Sequence, residues 1–88
     1  MNKVIDSVAT GRRLKELCEQ KGLSPHDIRD LMDLNDERIV YYWFSGRYLP
    51  SLSNLYILSQ LLDCTINRLL VPSEKSGRCM RKDEENKG

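Results

Sequence analysis

Four interruptions limit what this chain can fold into. Gly22, the Asp33-Leu34-Asn35 stretch, Gly46 and Pro72 each stop an apolar pattern within about three helical turns. Between them, apolar residues recur at the three- and four-residue spacing of a single helix face. Residues 10–21, TGRRLKELCEQK, put Leu14, Leu17 and Cys18 on one side, and Gly22 follows as a stop. A start at Asp6 or Ser7 would add Val8 to that face. Ser24 and Pro25 open a second helix, because serine caps the free N–H groups and proline suits the first helical position. Asp27, three residues after Ser24, offers a capping-box variant. This helix is expected over 25–32 with Ile28, Leu31 and Met32 inward. A third is expected over 36–45, with Val40 and Trp43 on one face and Ile39 beside them. Ser51 caps a fourth over 52–62, whose Leu52, Leu55, Leu58, Leu61 and Leu62 are apolar. Thr65 caps a short fifth over 66–71. Neither strand alternation nor an internal repeat is visible. The fold class is all-α, a compact bundle of about five short helices.

Length and charge narrow the functional classes. Eighty-eight residues make one domain at most. Its expected extent is 8–71, between a flexible N-terminus at 1–7 and a disordered charged tail at 72–88. The tail, SEKSGRCMRKDEENKG, has almost no apolar content. Residues 1–71 carry nine Lys/Arg against nine Asp/Glu, so the domain lacks the basic excess that usually accompanies nucleic-acid binding. Three widely spaced cysteines and a single histidine, His26, make no metal-ligand set. Cys18 and Cys64 read as small core residues, and Cys79 as the thiol most open to oxidation. No apolar run approaches the roughly 20 residues of a membrane span, and no signal peptide is visible, so cytoplasmic residence is expected. One histidine, no Gly-rich phosphate loop and no nucleophile-plus-base set argue against an enzyme. No cofactor is expected.

The aromatic residues carry the functional signal. Five of the six fall within YYWFSGRY, residues 41–48. Four consecutive helical residues point in all directions around the axis, so Tyr41, Tyr42, Trp43 and Phe44 cannot all be core. Trp43 joins Val40 inside. Phe44 either covers the edge of that core against the first helix or is partly exposed. Glu37, Arg38, Tyr41 and Tyr42 form the outer face, with Arg38 three and four residues before the tyrosines. An arginine can read guanine through two hydrogen bonds, and tyrosine hydroxyls can donate to phosphate. Arg47 and Tyr48, just beyond Gly46, are placed for backbone contacts. Ser51 and Asn54 open the fourth helix, whose free N–H groups suit a phosphate. The same exposed rings also suit a protein or dimer interface. Arg12, Arg13 and Lys15 read as a solvated face, and His26 as a plain surface residue. Ile66, Leu69 and Leu70 are candidates for a dimer seam.

The second and third helices are separated by about three residues, the spacing of a helix-turn-helix. In this order, GRRLKELCEQKGLS, LNDERIVYYWFSGRYLPSLSNLYILSQLL and INRLL resemble the Cro and lambda-repressor type of helix-turn-helix domain, the xenobiotic-response-element family. The resemblance covers residues 8–71. It implies sequence-specific binding of double-stranded DNA, usually as a homodimer and usually as a repressor or autoregulator. A protein partner, as for an antitoxin or accessory factor, is the alternative. The departures are local. Pro25 stands where the family often has a phosphate-anchoring Gln, Arg29 where it has a small Ala, Asp33 where it has Gly, and Phe44 where it has Glu.

Overall fold

The computed structural model describes residues 4–73. The described residues form five helices: α1 (Ser7–Gln20), α2 (Pro25–Met32), α3 (Arg38–Ser45), α4 (Leu52–Leu62) and α5 (Ile66–Leu69). Each boundary has a local cause. Asp6 caps α1, its carboxylate accepting from the Ala9 N–H at 3.0 Å. At α2 the full capping box is present: Ser24 Oγ accepts from the Asp27 N–H at 3.1 Å, and Asp27 accepts from the Ser24 N–H at 3.0 Å. Helices α2 and α4 end at Asp33 and Asp63 in the left-handed conformation, at φ 56° and 55°. Aspartate tolerates this region better than most residues. The third helix begins two residues later than its pattern suggests. Asp36 and Glu37 form the turn before it, and Asp36 Oδ1 accepts from the Arg38 N–H at 2.9 Å.

The core gathers Leu14, Leu17 and Cys18 from α1, Ile28 from α2, Val40 and Trp43 from α3, Leu55, Leu58 and Leu62 from α4, and Leu69 from α5. Phe44 is half-buried against its edge, as are Ile39, Met32 and Leu34. Three residues expected inside are outside: Val8 is 53% exposed, Leu31 56% and Leu52 74%. Helical geometry explains them. At 100° per residue, Val8 lies roughly 120° from the centre of the buried stripe of α1, and Leu52 roughly 70° from that of α4. In α2, Ile28 and Met32 define the inward edge and leave Leu31 on the flank.

Helices α1 and α3 cross at backbone contact. A Cβ on Gly11 would stand 2.6 Å from the Phe44 carbonyl oxygen, and one on Gly46 (φ 84°) would stand 2.6 Å from Val8 Cα. Val8 therefore contributes its backbone to the packing while its side chain faces water.

A short antiparallel pairing, absent from the sequence expectation, joins the ends of the described chain. Ile5 and Pro72 form an isolated bridge. The Asp6 N–H donates to the Val71 carbonyl and the Ser73 N–H to the Val4 carbonyl, both at 2.7 Å. Fully buried Thr10 accepts from the Val71 N–H at 3.0 Å through its hydroxyl. Val71 is thereby drawn out of α5, which stops at Leu69 rather than continuing to 71. The pairing lies beyond the expected domain limits of 8–71. Residues 1–3 and 74–88, including Cys79 and nearly all of the expected tail, lie outside the described residues.

Candidate nucleic-acid interface

Helix α2, the turn at 33–37 and α3 make the helix-turn-helix. The turn opens with left-handed Asp33, and the Leu34 N–H donates back to the Arg29 carbonyl at 2.9 Å. Half-buried Leu34 then packs on the core, which fixes the angle at which α3 leaves. The link is longer than the three residues expected, because Asp36 and Glu37 are not helical.

Along α3 the four consecutive aromatics separate by direction. Trp43 is 4% exposed and sits in the core with Val40. Tyr41 lines a groove with Lys15, Glu19, Leu23, Pro25 and Phe44, between α1 and the start of α2. Tyr42 lies elsewhere, edge-on to Tyr48 with ring centres 5.5 Å apart. The Arg47 guanidinium carbon is 5.1 Å from the Tyr42 ring centre and 5.7 Å from that of Tyr48. The backbone holds this cluster in place. Gly46 turns left-handed, and the Arg47 N–H donates to the Tyr42 carbonyl at 2.9 Å. Cation–π attraction orders a long cationic side chain without cancelling its charge.

Arg38 is ordered differently. Its Nε and Nη2 donate to Asp36 Oδ2 at 3.0 and 2.7 Å. These bonds hold the Asp36 carboxyl below its ordinary range and raise the Arg38 guanidinium. Glu37 faces His26, with Oε1 3.4 Å from Nδ1. The other ring nitrogen of His26 is 3.3 Å from Asp30, so this histidine ties α2 to the turn before α3. Sequence reasoning missed it. Only the Asp30 partner, four residues on, leaves a trace in the sequence; Glu37 does not. Arg29 also holds Asp30, at 2.7 Å. Asp27, Asp30 and Asp36 each accept a hydrogen bond from a donor inside the domain, and Glu37 lies beside His26, which lessens the repulsion of an anionic partner.

The two helix starts differ. The N-terminus of α2 is closed by its own Asp27, whose carboxyl is lowered by the Ser24 backbone and hydroxyl bonds. A phosphate there would meet a carboxylate. The first turn of α4 carries no acid; Ser51 Oγ accepts from the Asn54 N–H at 3.2 Å. Of the expected site residues, Tyr42, Arg47 and Tyr48 meet in one cluster. Arg38 pairs with Asp36, Glu37 faces His26, Tyr41 stands apart over its groove, and Ser51 and Asn54 form the cap of α4.

A short helix, a left-handed turn, and a second helix with one flank buried and another free define a helix-turn-helix domain. Comparison with solved structures bears this out. The restriction-modification controller protein C.AhdI from Aeromonas hydrophila matches at 36% identity, over 73% of this chain and 96% of that one, with a TM-score of 0.66. The chain belongs to the Cro and lambda-repressor type of helix-turn-helix family. The DNA-binding domain of BldD and that of S. venezulae BldD share the fold, each at 19% identity and a TM-score of 0.64. Each match covers 75% of this chain, and 94% and 97% of those chains respectively. No family model matches the chain, and no curated protein does. Among the described residues, no helix is long and apolar enough to cross a membrane.

Proposed function

We propose that this chain is a sequence-specific, double-stranded-DNA-binding transcription regulator, a repressor or autoregulator that acts as a homodimer. The observation that carries the reading is the Tyr42–Arg47–Tyr48 cluster at the end of the free flank of α3. With α3 in a major groove, Arg38 reaches base edges, and Arg47 and Tyr48 grip the backbone. The first turn of α4, with Ser51 and Asn54, meets a phosphate. Glu37 and Tyr41 flank the contact. The match to a restriction-modification controller over nearly its whole length supports the same role.

Homodimerisation draws on a second surface. Leu69 is 0% exposed, while Ile66 and Leu70 are each half-buried on the core, so the expected seam loses Leu69. Beside Ile66, however, Leu52, Tyr56 and Ile57 form an exposed apolar patch on α4. A patch of this kind suits a second copy of the chain. Such pairing would present two α3 helices to successive major grooves, about 34 Å apart.

The alternative is a scaffold that binds a protein. Its support is the groove under Tyr41 and Phe44, which Leu23 and Pro25 also line. Selection from a random duplex pool separates the two readings. Enrichment of an inverted repeat is expected. A pool that stays unenriched, with binding insensitive to salt, contradicts DNA recognition.

A further inference from the structure

We propose that Asp36 is a specificity-determining positioning residue: it grips one side of the Arg38 guanidinium and leaves the opposite edge outward as a fixed, two-donor reader of guanine. The inference rests on the reading that the free flank of α3 faces DNA bases. Arginine carries five N–H donors in one plane. The Nε–H and one Nη2–H of Arg38 are spent on Asp36 Oδ2, at 3.0 and 2.7 Å. The remaining Nη1–Nη2 edge has no partner among the described residues, and the side chain is exposed. That edge has the spacing of the O6 and N7 acceptors of guanine in the major groove. Adenine offers N7 but sets an amino donor beside it, and so opposes a two-donor edge.

Asp36 is itself anchored. Its other oxygen, Oδ1, accepts from the Arg38 N–H at 2.9 Å, so one carboxylate caps α3 and aims the side chain of its first residue. These bonds therefore orient the reader relative to the helix axis rather than towards a phosphate. The carboxylate also offsets the charge of Arg38 locally. Arg47 contrasts with it, because two rings order its guanidinium and leave its charge uncompensated. The two arginines thus divide the work: Arg38 discriminates among bases, and Arg47 attracts the backbone.

The test uses the full chain and the duplex enriched by selection, with each base pair substituted in turn. Arg38→Ala should lose roughly ten- to hundredfold discrimination at one G·C pair. Asp36→Asn retains an oxygen to cap α3 but lacks the carboxylate, and should lose most of the same discrimination at the same pair. Its affinity for scrambled duplex should stay level or rise. In an Arg38→Ala background, Asp36→Asn should change discrimination no further. Asp36→Ser, which also keeps a cap oxygen, should reproduce the effect, and circular-dichroism melts confirm that each variant is folded. If Arg38→Ala removes the guanine preference while folded Asp36→Asn and Asp36→Ser keep it, the role of Asp36 is overturned and the DNA-facing flank stands. If Arg38→Ala alters no base preference, the flank itself is misassigned and the proposal falls with it.

Discussion

At the scale of single residues, burial separates side chains that the sequence shows side by side. Trp43 lies inside with Val40, while neighbouring Tyr42 joins the surface cluster with Arg47 and Tyr48. Trp43→Ala should therefore cost about 3–5 kcal/mol, a large share of the stability of a small domain. Circular-dichroism melts check this; an unchanged melting temperature would contradict it. Cys18 gives a chemical readout of the same core. Burial, with a smaller contribution from Glu19, pushes its thiol up to about 11. Little thiolate is present at neutral pH, and the side chain is fully enclosed. Labelling of Cys18 followed by mass spectrometry should track unfolding, whereas half-buried Cys64 should react sooner. Equal native rates would contradict the packing. Both the tryptophan and this cysteine were legible in the sequence because helical spacing alone sets their direction. The bridge from His26 to Glu37 was not, since it depends on how a non-helical turn brings the start of α3 back towards α2.

At the scale of elements, the starts of helices were more legible than their faces. Ser24-Pro25-x-Asp27 announces α2, and the capping box forms as its spacing requires. Faces are harder to read in two-turn helices, where one residue's direction decides the result, as at Leu31. The start of α3 was misplaced because Asp36 and Glu37 suit a first helical turn as well as a capping turn. The capping carboxylates predict acid sensitivity. Asp27 is lowered from 3.8 chiefly by its bond from the Ser24 N–H, and Asp36 chiefly by the Arg38 side chain. A native value below the unfolded one means that the stabilisation is complete above 3.8 and lost as pH falls through the lowered native values. Melting temperature should hold from neutral pH to about 5 and decline below about 4. Asp27→Asn should remove part of that decline by lowering stability at neutral pH instead. A parallel acid profile for Asp27→Asn would contradict the capping account.

At the scale of the whole molecule, the closure of the chain on itself was invisible in the sequence. Residues 4–6 and 71–73 carry no strand signal, and their pairing depends on α1 and α5 first bringing them together. Thr10 is the post for this closure, with its hydroxyl buried against Val71. Thr10→Val keeps the shape and removes the hydroxyl, so about 1–3 kcal/mol should be lost in denaturant unfolding. A neutral result would mean that the closure contributes little to stability. The all-α bundle and helix order, by contrast, were legible from caps and breaks, as was the resemblance carried by GLS and W-x2-GR-x-LPS. Leu69, expected on a dimer seam, is instead fully buried in its own domain, because an isolated four-residue helix gives no sign of which face that domain consumes. In our reading the free flank of α3, extended by the Tyr42–Arg47–Tyr48 cluster, is the DNA surface. Its most direct test is titration of wild type, Arg38→Ala and Arg47→Ala against the selected and a scrambled duplex at several salt concentrations. Arg47→Ala should weaken both duplexes alike and flatten the salt slope by about one, while Arg38→Ala should weaken the selected duplex alone and leave the slope nearly unchanged. Wild-type binding by both folded variants would contradict the claim.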